Sequence, residues 1–332
     1  MGLVGRRRTL HCIKLRDGRK LRYYIDGPKS IDEGDLATTI HQSKLPVIFA
    51  FHGMYLSGQS LFQDEKESNR PTDYIVIAIN RPGYHGSSNV KIGVYSYCDF
   101  ALDIREVADS LHIIQFGVLG HSSGGPNVLA CAALLGPSRV TAFATLGSDP
   151  EYAKYNDIGT GHNFLMDCCI GKWLPRTLAV IMPCQQVSNG MQNDYYLERE
   201  IYPFNIEKDI VQPGIVIVGE KDTILPYKVS RRVSERLQNN NISSGRNTCV
   251  ELKIMPGLGH NCLLSDSVLD MAYKTVIELG KLNTDTSTNT TNTNTKTNND
   301  DAYDTTTTTT TTSSQQLQSK SEPLLNKSQQ QD

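Results

Sequence analysis

The chain lacks the features that mark several functional classes. Its longest apolar stretches, such as "TLAVIMPC" at 177–184, fall far short of the roughly 20 residues that span a bilayer, so no transmembrane segment is expected. It has almost no net charge, 33 Lys and Arg standing against 35 Asp and Glu for a formal −2. With no clustered basic stripe either, there is no electrostatic basis for a nucleic-acid partner. It has no C-x-x-C pair, Cys168 and Cys169 are merely adjacent, and the eight histidines are scattered, so neither a metal site nor any other cofactor is expected. The opening "MGLVGRRRTLHCIKLRDGRK" lacks the apolar centre of a secretory signal, and Arg6 stands where a myristoylation signal places Ser or Thr. The eight cysteines then read as reduced residues, mostly core, of a cytoplasmic protein.

From residue 283 the sequence becomes "NTDTSTNTTNTNTKTNNDDAYDTTTTTTTTSSQQ" and continues in that manner to the end. So few apolar residues cannot offset the entropy of ordering, which predicts a disordered tail over 283–332 behind a folded domain of 1–282. Within that domain, "LHCIKL" and "KLRYYID" flank an Asp17-Gly18 turn and read as a hairpin. Buried strands are expected at 46–51, 74–79, 116–120, 140–147, 214–219 and 250–256. Helical patterns lie between several of them, for example "CDFALDIREVADSLHI", whose Phe100, Ile104, Val107, Ala108 and Leu111 share one face. An antiparallel start followed by a mainly parallel, helix-covered sheet results, eight strands in all, with reactive groups expected at the carboxyl ends of the strands. More than sixty residues separate the strand ending at Gly147 from the one starting at Gly214. That is too long for an ordinary connection, and residues 150–212 are read as a small helical cap over the strand ends.

One pentapeptide carries the chemistry. Gly120-His121-Ser122-Ser123-Gly124 fits G-x-S-x-G, a sharp strand-to-helix turn that projects its serine outward. Given ordinary glycine usage the pattern arises by accident in roughly one chain of this length in ten. Its placement is more telling, because an apolar β-rich run leads in and the small-residue "NVLACAALL" leads out. A serine hydroxyl needs a base, and only His162 and His260 lie beyond the turn. His260 follows the last strand on the Gly-rich "MPGLGHNCLL" and is the better base, whereas His162 lies in the cap, where it would line a pocket. A carboxylate must orient the imidazole. Asp222, in "GEKDTILP" after the strand at 214–219, is preferred to Asp149, and Glu220 is expected to point elsewhere. An oxyanion requires backbone N–H donors. The "FAFHGMYLSG" segment puts His52-Gly53 at the end of a strand, making the Met54 amide one donor, and Ser123 supplies the other. His52, Gly53, Gly120 and Gly124 are supporting residues, His52 as a turn-shaping group that transfers no proton.

With these motifs in this order the chain resembles the capped serine hydrolases of the α/β-hydrolase superfamily over about residues 9–280. The hairpin, "HGM", "NRPGYHGSS", "GHSSGG", "GEKDTILP" and "GLGH" follow one another as they do in that family. One departure is Asn80, where relatives commonly carry Asp before Arg-Pro-Gly, at a position that supports the loop. The resemblance implies a Ser-Asp-His triad of Ser122, Asp222 and His260. A serine rather than an aspartate at the turn disfavours dehalogenase and epoxide chemistry and implies acyl transfer on a small-molecule ester, with thioesters, amides or amino-terminal residues as alternatives, and a non-catalytic ligand-binding protein as the opposing class. The cap aromatics, Trp173 among them as the one tryptophan of the chain, are expected to give the pocket apolar character.

Overall fold

The computed structural model describes residues 8–32, 34–62, 71–154, 188–244 and 250–291. Eight strands, β1 (Leu10–Lys14), β2 (Lys20–Asp26), β3 (Val47–Phe51), β4 (Ile75–Asn80), β5 (Phe116–His121), β6 (Val140–Leu146), β7 (Gly214–Gly219) and β8 (Val250–Met255), form one sheet in the order β1-β2-β4-β3-β5-β6-β7-β8. Among the described residues the α-helices are α1 (Leu36–Ser43), α2 (Tyr97–Ser110), α3 (Gly125–Leu135), α4 (Asn189–Leu197), α5 (Ile206–Asp209), α6 (Tyr227–Ser244) and α7 (Asp266–Thr291).

The β1–β2 hairpin closes through Asp17-Gly18, where the Gly18 N–H donates to Leu15 O at 2.9 Å. Gly18 has φ +88°, a backbone state that other residues adopt only with strain. β1 pairs antiparallel with β2, and β2 antiparallel with β4. From β4 to β8 every pairing is parallel, so the loops after β3, β4, β5, β6, β7 and β8 all emerge along one edge of the sheet.

The central strands are apolar throughout because both of their faces are covered. In β3, Val47, Phe49 and Phe51 enter one core with Phe100, Ile104 and Val107 of α2, while Ile48 and Ala50 enter the other with Leu269, Ala272, Tyr273 and Val276 of α7. The expected face of α2 is buried as a unit. Its start is fixed by Ser96 and Asp99, each side chain accepting the other's backbone N–H in a capping box.

α7 continues to Thr291, past residue 283 where the polar tail was expected to begin. Once a helix is nucleated on its buried turns, each further residue adds a backbone hydrogen bond without having to bury apolar surface. Residues 292–332 lie outside the described residues, as do 155–187, the middle of the expected cap. Of the described part of 150–212, α4 packs on the loop after β4, and Glu151 receives the Tyr202 N–H at 2.9 Å and pairs with Arg236 of α6 at 2.9 Å.

Candidate active site

β5 ends at His121, and the next residue, Ser122, has φ +53°. A non-glycine residue held there stores strain of about 1–3 kcal/mol, and here the surroundings leave the chain no alternative. A Cβ on Gly120 would stand 2.4 Å from Gly124 O, and one on Gly124 would stand 2.2 Å from Phe51 O. Only glycines let β5, the turn and β3 approach this closely. The turn passes directly into α3, with Pro126 in its first turn, so Ser122 sits at the positive end of a helix.

His260 follows β8, at the start of a short 3-10 turn. Its Nδ1–H donates to Asp222 Oδ2 at 2.7 Å in a buried contact. The other oxygen, Asp222 Oδ1, accepts the N–H groups of Ile224 and Leu225 at 3.0 and 2.7 Å. Both oxygens of the carboxylate are thus employed. Asp222 can only accept, so the contact fixes the neutral His260 as its Nδ1–H tautomer and leaves Nε2 as the basic nitrogen. Asp149, the alternative acid, accepts instead from the Tyr152 hydroxyl at 2.9 Å. Glu220 accepts the Gly257 N–H at 2.7 Å and so braces the turn after β8.

A cavity of about 370 Å³ opens among the strand ends. Met54, Tyr55 and Leu56 line it from the loop after β3, His121, Ser122 and Ser123 from the turn after β5, and Asp149 and Tyr152 from the segment after β6. Glu198, Ile224, His260 and Asn261 complete the wall. The structure thus brings Ser122, His260, Met54 and Ser123 to one cavity, with Asp222 behind His260. His162 and Trp173 lie outside the described residues.

The loop that carries Met54 is braced from behind. Asn80 Oδ1 accepts the Gly58 N–H at 2.8 Å while Asn80 Nδ2 donates to His85 O at 3.3 Å, so the amide at this position both accepts and donates. His85 Nε2 donates to Leu56 O at 2.9 Å. His52 is fully buried, its Nδ1 donating to Gly53 O at 2.7 Å and its Nε2 accepting the Arg81 N–H at 3.1 Å. Burial, and then the charge of Arg81, hold His52 well below the usual histidine pKa of 6.5, which favours the neutral ring.

Three features were not legible as functional in the sequence. His121, the variable residue of G-x-S-x-G, donates from Nε2 to the backbone carbonyl of His260 at 3.3 Å. Burial, followed by the charge of His260, takes its pKa down to about 3. Glu198, just past α4, lines the cavity and shares a side-chain hydrogen bond with Asp149; burial, then the charges of Asp149 and Asp194, push its carboxyl well above the usual range. Arg81 forms a buried bidentate pair with Asp194 of α4 at 2.7 and 2.8 Å. All three are contacts between segments distant in sequence, for which a single chain offers no local signal. Among the described residues no three His, Cys, Asp or Glu side chains group to hold a metal ion, and no helix is long and apolar enough to cross a membrane.

Residues 46–165 match the family model described as alpha/beta hydrolase fold. The chain is an α/β-hydrolase-fold protein. An esterase from Thermogutta terrifontis aligns with a TM-score of 0.54 at 16% identity, over 82% of this chain and 99% of its own. An epoxide hydrolase of the superfamily from metagenomes of hot environments aligns with 0.57 at 16%, over 83% and 99%. The esterase EaEST of Exiguobacterium antarcticum gives 0.56 at 17%, over 82% and 100%. Likeness at this level speaks for the architecture, and one scaffold hosts many chemistries.

Proposed function

We propose that the chain is a serine hydrolase cleaving a carboxylic ester or related acyl bond through an acyl-enzyme. The observation that carries the reading is the 2.7 Å contact between His260 Nδ1 and Asp222 Oδ2 behind a cavity that Ser122 also lines. In this mechanism Ser122 Oγ attacks the substrate carbonyl carbon while His260 Nε2 takes the hydroxyl proton. Asp222 keeps the imidazole in the required tautomer and stabilises the imidazolium that forms. The Met54 and Ser123 N–H groups receive the oxyanion, assisted by the N-terminus of α3. The tetrahedral adduct collapses, His260 passes its proton to the leaving alkoxide, and water repeats the sequence on the acyl group to release the acid and restore Ser122.

A serine nucleophile supports esters over epoxides or haloalkanes. The 16% identity to both an esterase and an epoxide hydrolase favours neither. The test is hydrolysis of short-chain p-nitrophenyl esters together with labelling by a fluorophosphonate. Ser122 should carry the label, and Ser122→Ala should abolish both activity and labelling. A label recovered on Ser123 or Ser148 would overturn the assignment, and a wild-type protein that is neither labelled nor active would make it a ligand-binding protein instead.

A further inference from the structure

His52 does more than fill the turn before Met54. A carbonyl only accepts and a backbone N–H only donates, so the contacts with Gly53 O and the Arg81 N–H require the proton on Nδ1 and the lone pair on Nε2. The Gly53 carbonyl and the Met54 N–H belong to one planar trans peptide. Fixing the direction of that oxygen therefore fixes the direction of the N–H.

The residue that holds His52 is itself anchored elsewhere. The Arg81 guanidinium makes two parallel hydrogen bonds to Asp194, and the Tyr84 hydroxyl donates to the same carboxylate. The Tyr84 ring meets His52 edge-on with centroids 4.9 Å apart and lies under the Arg81 guanidinium at 4.8 Å. Asp194 is on α4, whose first turn is locked to the loop after β4. There the Gly190 N–H donates to Gly83 O at 3.2 Å, and Asn189 exchanges hydrogen bonds with the Val90 backbone at 2.7 and 3.1 Å. A Cβ on Gly83 would stand 2.2 Å from Gly190 N, so the contact has no slack. A second link runs in front. The Tyr195 hydroxyl, also on α4, lies 2.8 Å from the hydroxyl of Tyr55, the residue after Met54, which is held at φ +63°.

We propose that Asp194 is a positioning residue, aiming the Met54 N–H through Arg81, Tyr84 and His52, so that the seating of α4 sets how well the site stabilises an oxyanion. This rests on the reading of Met54 as an oxyanion donor. A relay of this kind ties the helix beside the substrate cavity to the peptide at which charge develops.

The test uses the full chain with selective [15N]methionine labelling. Asp194→Asn keeps the side chain's shape and removes its charge. The paired change Arg81→Met with Asp194→Leu removes both charges at once, which buried pairs commonly tolerate without loss of stability, and it serves where Asp194→Asn does not fold. In a folded variant the Met54 amide resonance should move while those of Met255 and Met271 stay in place. On a p-nitrophenyl ester kcat should fall about tenfold, less than the 10²–10³ lost when an oxyanion donor is removed outright. KM should hold, and fluorophosphonate labelling of Ser122 should slow by the same factor. An unmoved Met54 amide in a folded variant overturns the proposal. So does a raised KM with kcat unchanged, which would mark a role in pocket shape alone. A wild-type protein that neither hydrolyses esters nor takes the label overturns the hydrolase reading and the catalytic half of this one together, whereas an active wild type with an unmoved amide overturns the positioning role alone.

Discussion

The His121 and His260 rings lie tilted against each other with centroids 4.7 Å apart, and His121 Nε2 donates to the backbone carbonyl of His260 at 3.3 Å. The residue before Ser122 thus holds the chain that carries the proposed base, so turn and base are fixed relative to one another by a neutral hydrogen bond. Replacing His121 by Leu removes the donor while keeping much of the volume. A net hydrogen bond of about 1 kcal/mol corresponds to about fivefold, and the loss is expected in kcat more than in KM. Steady-state kinetics on a short-chain ester check this, and an unchanged kcat in a folded variant would show that the contact does not position His260.

Steric demand at the glycines of the site differs sharply from one to the next. Gly124→Ala drives a methyl group to 2.2 Å from a β3 carbonyl, whereas at Gly259, beside the proposed base, the nearest atom to an added Cβ is 3.7 Å away. Overpacking against rigid backbone costs about 1–3 kcal/mol or more. Gly124→Ala should therefore lower Tm by several degrees or prevent folding, while Gly259→Ala should leave Tm nearly unchanged. Thermal unfolding of the two variants side by side decides it, and equal losses would mean the turn relaxes more freely than its packing implies.

Particular residues show what a single sequence reveals of this fold. The strands were legible because β3, β4 and β7 are unbroken apolar runs bounded by turn residues, and the order of those runs gave the sheet. The meeting of Asp222 with His260 was foreseeable because a parallel sheet brings its strand ends to one edge, where the loops after the neighbouring β7 and β8 lie side by side. Glu198 was not, since a buried carboxyl beside Asp149 follows from where α4 ends and not from any local pattern. The Arg81–Asp194 pair spans 113 residues of sequence, and neither charge announces that it is buried.

The two candidate acids make separable claims. Asp222 meets His260 Nδ1 and two backbone N–H groups, whereas Asp149 meets the Tyr152 hydroxyl and shares a hydrogen bond with Glu198. Asp222→Asn turns an acceptor into a group that can present N–H to the imidazole and select the wrong tautomer. A fall in kcat of about 10⁴ is expected of the acid in a Ser-His-Asp triad, the role proposed for Asp222. Asp149→Asn should instead change the relative rates on different esters through the cavity wall. An active Asp222→Asn enzyme beside an inactive Asp149→Asn would reverse the roles.

Three buried groups give the fold a pH dependence with opposing parts. His52 and His121 have folded pKa values below the ordinary 6.5, well below it for His52 and down to about 3 for His121. As pH falls under 6.5 the unfolded chain takes up protons that the folded state refuses, so their contribution to stability is lost toward acid. Glu198 runs the other way. Its folded pKa lies well above the ordinary 4.5, so as pH rises past 4.5 the unfolded chain gives up a proton that the folded state keeps, and stability falls until the folded pKa is reached. Each such proton is worth about 1.4 kcal/mol per pH unit. Urea unfolding at a series of pH values separates the parts by difference. Glu198→Gln should gain on wild type progressively above about pH 4.5, and His121→Asn should lose less than wild type on acidification below about pH 6.5. A Glu198→Gln curve that runs parallel to wild type at every pH would show that this carboxyl titrates in the folded protein as it does in the unfolded chain.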